Sequence, residues 1–434
     1  MAVDRLVAEF ANRPKGPAWL GELRDAGLAR FSELGFPSTR HEDWRFTNVK
    51  PLTELPFQLD VDNVANGLNG GLFTELDGPQ LVFVNGRFSK NLSVVDNLPA
   101  GVVVGSVAET LANDDSTIQD CLSRQVCNGN DAFMALNTAF FADGVLVQVP
   151  ESVTVEAPVR VYYLNTTKVD GATANIRNLI VAGANSAVTV IESWTGGGAA
   201  YFNNAITELA VGENAQVEHV KFQDEGAEAF HVAGLHATLG RDCRVAHHSI
   251  ALGGRLARNN IRARLDGEGL ECVLNGLYLT EREQLIDHHM VVDHAKPHGD
   301  SHEYFNGILD DDSRAVFHGR IHVHPGADKT DAKQTNKNLL LSDRATVDTK
   351  PQLEIYADDV KCTHGATVGQ MPPEQIFYLR TRGLSEENAR RMLMHAFAGE
   401  IIERIACEPV REELDRLVWN RLEANPHIAE TVKV

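Results

Sequence analysis

The chain is 434 residues long and sets 40 Lys plus Arg against 60 Asp plus Glu, a formal net charge of −20. With 43% hydrophobic and 23% charged residues it is long enough and apolar enough to bury a large core, which excludes wholesale disorder. So acidic a chain is a poor general ligand for nucleic acid, where net positive charge must displace counterions from phosphate. The six cysteines are scattered, with no CxxC or CxxH, so neither a zinc ribbon nor a disulfide-stapled secreted scaffold is encoded. Asp4 and Glu9 stand where an export signal needs a basic and then an apolar run, and no stretch is apolar enough to span a membrane. A cytoplasmic protein without membrane contact is expected.

Up to about Phe57 the pattern is helical: Leu20, Leu23, Leu28, Phe31 and Leu34 recur at helical spacing until Gly35-Phe36-Pro37 breaks the run. Between Gln80 and Val104 the pattern turns to strands, with Leu81 to Val84 meeting the turn pair Asn85-Gly86 and Val102 to Val104 following. Residues 107–141 return to helical spacing, with Phe133, Leu136, Phe140 and Phe141 on one side.

From about Val145 to Gly369 short β-rich runs alternate with Gly, Asn and Asp. A frame recurs here, with starts at Gly183, Gly212, Gly240, Gly267, Asp311 and Ser342. Five residues into each copy stand Val188, Val217, Val245, Cys272, Val316 and Val347. Such a unit cannot bury its own apolar face and must stack on its neighbours. The expected fold is therefore mainly β, a parallel β-helix (solenoid) with coils of about 28 residues, flanked by N- and C-terminal α-helical regions. An antiparallel sandwich would also give many short strands, but it does not require a fixed period. The step from Gly267 to Asp311 is about 15 residues too long, and the excess is read as a loop insertion near Glu281 to Glu303.

After Gly369 helices resume. Pro372-Pro373 opens a short one that Gly383 closes, Ser385 caps a second, and a third starts near Pro409. Met392, Leu393, Phe397 and Ile401 follow helical spacing on the second, either capping the last coil or presenting a partner-docking face. Three regions are expected: 1–142 helical and mixed, 143–370 solenoid, and 371–434 helical.

Three groups could carry chemistry. Asp287, His288, His289, Asp293, His294, His298, His302 and Glu303 crowd into one segment whose imidazoles and carboxylates suit a divalent metal. His294, His298 and His302 are four apart, as on a helix face, but Pro297 argues against a regular helix; a polar loop with hydrogen-bonded histidines is the alternative. In the second group, His318, His322 and His324 alternate onto one face of a strand, with Asp328 a loose match for a further ligand. His219, His247 and His318 also fall in one column of the repeat, beside Val190 and Leu274, a stacked structural set. In the third group, Cys362 and His364 are two apart, so an extended chain points both the same way. Thiolate and imidazole suit iron, copper or zinc, or a nucleophile with its base, against the plainer reading of a buried cysteine beside a hydrogen-bonded histidine. No GxxxxGK[ST], GxSxG or HExxH occurs, which speaks against a free-standing enzyme.

The block from Asp358 to Gly369, with Lys350 to Tyr356, Thr335 to Ser342 and Lys329 to Ala332, resembles the SufB/SufD family of iron–sulfur cluster assembly proteins. Gly35 to Thr47 is similar to the N-terminal segment of the SufD branch. The resemblance implies a right-handed parallel β-helix and a complex of SufB, SufD and the SufC ATPase. In it the solenoid end pairs with SufB, and the C-terminal helices, here with Met392, Leu393, Phe397 and Ile401, hold SufC. It also implies that His364, with Cys362 beside it, meets transient iron or a nascent cluster shared with SufB, and that no cofactor is tightly bound. His294, His298 and His302 are carried over as weaker metal candidates. The subunit would be non-catalytic, with ATP hydrolysis supplied by SufC, and a homodimer is the alternative when SufB is missing. Rivals from other classes are a homomeric metal-binding scaffold and a β-helix polysaccharide-active enzyme.

Overall fold

A computed structural model describes residues 2–10, 16–59, 61–62, 65, 71–113, 118–119, 122 and 130–424. Its centre is a parallel β-solenoid whose walls are two sheets. The first sheet runs from β1 (Gln80–Val84), hairpinned to β2 (Arg87–Phe88), through β5 (Val159–Asn165), β7 (Ala187–Gly196), β9 (Gln216–Glu225) and β11 (Arg244–Ala251), then on through β13 (Glu271–Thr280), β15 (Asp300–Leu309) and β17 (Asp331–Leu340) to β19 (Lys361–Gly369). The second starts at β3 (Val103–Ser106), followed by β4 (Val145–Val149), β6 (Thr173–Ala182), β8 (Phe202–Val211), β10 (Phe230–Leu239), β12 (Leu256–Leu265), β14 (Leu285–His294), β16 (Arg314–Val323) and β18 (Thr346–Ile355). From β4 onward successive strands alternate between the sheets, so one coil is two strands and two turns. The hairpin β1–β2 and the antiparallel pair β3–β4 close one end. Asn85 and Gly86 supply the two left-handed turn residues of the hairpin (φ 49° and 79°).

The turn before each strand of the first sheet is itself a stack. Asn185, Asn214, Asp242, Gly269, His298 and Lys329 all take positive φ, two residues before their strands. Each donates its backbone N–H to the carbonyl of the next coil's turn, as Gly269 does to His298 and His298 to Asp328. Asn, Asp and Gly tolerate this conformation best, which is why they punctuate the repeat. His298 holds one rung of that ladder and is a turn residue.

The slot that opens with Val188, Val217, Val245 and Cys272 continues in register through Ser301 and Ala332 to Cys362. The two last copies of the sequence frame instead fall on the second sheet, where Val316 pairs with Asp348 and not with Val347. The long step from Gly267 to Asp311 is thus a change of sheet. There is no inserted loop: residues 285–294 and 300–309 are ordinary strands, β14 and β15.

Side chains of alternate residues fill the solenoid, with Trp194 fully buried and stacked on Tyr163 at 3.8 Å between ring centroids. On the outer face of the second sheet, Phe202, Phe230 and Leu256 pack against α2 (Ala18–Leu34), α3 (Lys50–Thr53) and α5 (Ala132–Phe140), the rest of that region comprising α1 (Ala2–Glu9) and α4 (Val107–Ala112). The outer face of the first sheet is covered by α7 (Glu386–Ile402) and α8 (Glu408–Ala424), preceded by α6 (Pro373–Thr381). Ser385 caps α7 by accepting the Asn388 N–H at 3.1 Å, with Glu386 and Glu387 in the first turn favoured by the helix dipole. Met394, Ala398, Ile401 and Ile402 of α7 and Val410, Leu414, Val418 and Leu422 of α8 bury against Val220, Phe222, Ile250, Leu277 and Ile308. Each aliphatic side chain so buried contributes about 1.5–3 kcal/mol.

This packing removes Ile401 from the expected docking face and leaves Met392 on it. Ile401 is 2% exposed and held against the solenoid, and Phe397 is partly buried with its carbonyl accepting from Asn306. Leu393 is half-buried and Met392 is 49% exposed. The helices lie along the side of the solenoid and do not cap the last coil, because their apolar stripe matches the apolar outer face of the first sheet.

Candidate functional site

The far end of the solenoid is uncovered. β18 and β19 each pair with one strand only, and most of β19 is exposed, including Val368 at 47%. Ile355 and Tyr356, at the end of β18, are also exposed. Long free strand edges are templates for another chain, and proteins that stay alone normally blunt them.

His364 lies on this end strand. Its column in the first sheet reads Val159, Val190, His219, His247, Leu274, Glu303, Gln334, His364. His364 therefore ends the inward-facing column that contains His219 and His247, and it is exposed because no further coil follows. His318 belongs to the other sheet, in register with His289 and Lys350. Cys362, two residues before His364, packs partly against the core and remains half-buried. Burial, and then the nearby Asp331 carboxylate, raise its thiol above the ordinary value.

Deeper along the same interior is a buried polar network. His219 meets Glu192 at 3.1 Å and His247 at 3.0 Å. Lys221 contacts His231 at 2.8 Å and donates to Asn259 at 2.5 Å, while His231 meets Glu225 at 2.7 Å. Burial alone would raise the Glu192 carboxyl, but the charge and hydrogen bond of His219 together with Lys221 hold it at about 2. Burial pushes Lys221 down to about 8 against the pull of Glu192 and Glu225. Paired in this way, the charges tolerate an interior that would expel them singly.

The histidines of the 287–303 segment are not brought together. His294 is buried with its Nε2 against Ser301 Oγ at 2.8 Å, and burial lowers it to about 4. His298 is in the turn ladder, and His302 lies on β15, 3.8 Å from Asp331. Among the described residues two other groups place three ligand atoms close together, Asp43–His289–His318 and Asp293–His322–His324. The sequence singled out the His322–His324 pair and, in a separate group, Asp293, but not their meeting, since Asp293 is one coil away and becomes a neighbour only through strand register.

The model of the SUF system FeS cluster assembly SufBD core domain matches residues 163–397, and that of the SufBD protein N-terminal region matches residues 13–161. The chain belongs to the SufBD family. It is 33% identical to the iron-sulfur cluster assembly protein SufD of Escherichia coli, over 91% of each chain. It is 32% identical to an iron-sulfur cluster assembly SufBD family protein of Synechocystis, over 91% of this chain and 89% of that one. With the iron-sulfur cluster assembly protein SufD of Bacillus subtilis it shares 26% identity over 97% of this chain and 98% of the other. It is thus a SufD-like iron–sulfur cluster assembly protein built on a β-solenoid. Among the described residues, no helix is long and apolar enough to cross a membrane.

In this SufBD chain Cys243 and Cys272 are buried, and burial pushes the Cys243 thiol up to about 12 and Cys272 further still, which makes both poor nucleophiles at neutral pH. Cys121 and Cys127 lie outside the described residues. Two coils inside His364, Glu303 is buried with one hydrogen bond, from Gln334 Nε2 at 3.4 Å, and burial pushes its carboxyl from 4.5 up to about 8. Because the folded value lies above the unfolded one, the folded state binds this proton more tightly. Its stabilising effect is complete below about pH 4.5 and is lost as pH rises towards 8. Glu303→Gln is therefore expected to match the parent at pH 4.5 and to exceed it by roughly 2–4 kcal/mol at pH 9 in urea unfolding. Equal stability of the two proteins at both pH values would contradict this protonation state.

Proposed function

We propose that this chain is the SufD-type scaffold subunit of a cytoplasmic SufBCD assembly. The open end of the solenoid pairs with a SufB chain, and the C-terminal helices hold a SufC ATPase that supplies the ATP hydrolysis. His364, with Cys362 beside it, contributes imidazole and thiol to iron or a nascent cluster at the junction. The observation that carries this reading is the uncovered end itself: two free strand edges, antiparallel pairs closing the opposite end, and His364 exposed on the last strand. Imidazole and thiol together suit iron, and their place at an edge leaves coordination positions for groups from a partner. The subunit is a platform and needs no resident cofactor.

For the ATPase, the free apolar surface is on α6 and the start of α7. Phe377 is 68%, Tyr378 57% and Met392 49% exposed, whereas Ile401 is occupied by the solenoid. Exposed aromatics of this size are common interface anchors. Co-expression of the three chains and mass measurement of the purified complex test the assembly. Phe377→Asp with Tyr378→Asp is expected to leave the fold within about 0.5 kcal/mol and to weaken ATPase capture at least tenfold. Undiminished capture would refute this docking face, and recovery of only a homomer would favour a self-paired metal-binding scaffold.

A further inference from the structure

The outer face of the second sheet carries a side-chain group that plays no part in the pairing end or the helical docking face. Asp293 of β14 and His322 of β16 are partners in register, and His324 follows directly after β16. One oxygen of Asp293, Oδ1, lies 3.2 Å from His322 Nδ1 and 2.6 Å from His324 Nε2. The other, Oδ2, accepts from Arg264 Nη1 at 3.1 Å, so the arginine fixes the carboxylate with Oδ1 turned to both imidazoles. The side chains are 23%, 30% and 36% exposed for Asp293, His322 and His324, so the group is reachable without being flexible surface. Tyr356 stands edge-on to the His322 ring at 5.6 Å and flanks one side. In the next coil outward Glu354 is in register with His322, one strand spacing away.

We infer that Asp293, His322 and His324 form a binding site for a divalent first-row transition metal ion, such as Fe(II), Co(II), Ni(II) or Zn(II). Donor atoms about 2.0–2.2 Å from one ion stand roughly 3 Å from each other, which is the spacing found between Asp293 Oδ1 and the two ring nitrogens. Two imidazoles with one carboxylate suit these ions and disfavour calcium or magnesium, which take all-oxygen shells. Arg264 supplies the outer-shell contact that orients a ligating carboxylate. Three protein ligands leave at least one position open, filled by water or by Glu354, so the site exchanges its ion and does not lock it in as a structural centre would. The other three-ligand group is a poorer site, because Asp43 Oδ1 stands 3.8 Å from His289 Nε2 and the Arg258 cation lies on the strand beside His289. The inference does not depend on the proposed assembly role.

The test uses the full-length, untagged chain, stripped with chelator and titrated with Co(II) by visible absorption and with Zn(II) by calorimetry. The expected result is one ion per chain with a dissociation constant in the micromolar range or tighter. Binding should fall at least tenfold in His322→Ala/His324→Ala and in Asp293→Asn, and stay unchanged in His289→Gln. X-ray absorption of the Zn(II)-loaded parent is expected to show two imidazoles and oxygen ligands, a readout that does not depend on any variant folding. Absence of binding below millimolar metal, full binding by the double histidine variant, or an oxygen-only shell would overturn the assignment.

Discussion

Arg258→Ala is expected to destabilise the protein by about 3–5 kcal/mol and to release the segment around Trp44 from the solenoid. Arg258 is 2% exposed, pairs with Asp287 at 2.5 Å, and donates to the Asp43 carbonyl at 2.8 Å and to Asn260 at 2.9 Å. Its guanidinium also lies over the Trp44 ring at 3.7 Å. Alanine would leave the Asp287 carboxylate buried with only the Thr47 hydroxyl to balance it. The cost is chiefly that orphaned charge, so Arg258→Met combined with Asp287→Leu is expected to recover most of the loss. Urea unfolding followed by Trp fluorescence checks both. A loss below about 1 kcal/mol in the single variant would show that the pair is not the clasp described.

The second large effect concerns the free edge. Lys361 donates its N–H to Thr330 at 2.8 Å, towards the body of the sheet. In a parallel ladder the direction alternates, so the N–H groups of Cys362, His364, Ala366 and Val368 point to the open side. Ala366→Pro removes one outward donor and leaves the bonds to β17 in place, a position where proline is tolerated. Partner pairing is expected to weaken at least tenfold while the isolated chain unfolds at nearly the parent's denaturant concentration. Pairing at parental affinity would mean that the partner does not extend this sheet.

Much of the fold could be read from the residues, and the errors have a common origin. The Asn-Gly hairpin, the Ser385 cap and the stacked turns were legible because each depends on local backbone chemistry. The solenoid was legible because its apolar slot repeats. The error lay in treating one coil as one strand: a coil has two turns of similar composition, so a single template drifted from Cys272 to Val316 and created an insertion that is not there. The same drift put His318 in the column of His219 and His247, while His364, its true terminal member, was singled out by its spacing from Cys362 and by the family resemblance. Asp293 was legible only as a member of the 287–303 group, because it meets His322 through register between coils. The apolar face of α7 was only partly legible for another reason. Met392, Leu393, Met394, Phe397, Ala398 and Ile401 are apolar on more than one side, and helical period cannot say which stripe a neighbouring sheet will take.

In the proposed assembly the open end, with His364 on its last strand, is where cluster chemistry is shared with a partner. The most direct test is cluster formation on the assembled complex carrying His364→Ala, read by the visible absorption and the iron and sulfide content of the purified complex. Since His364 is exposed, the complex is expected to assemble normally and to lose most of its cluster. A normal cluster yield on an intact complex would contradict the account.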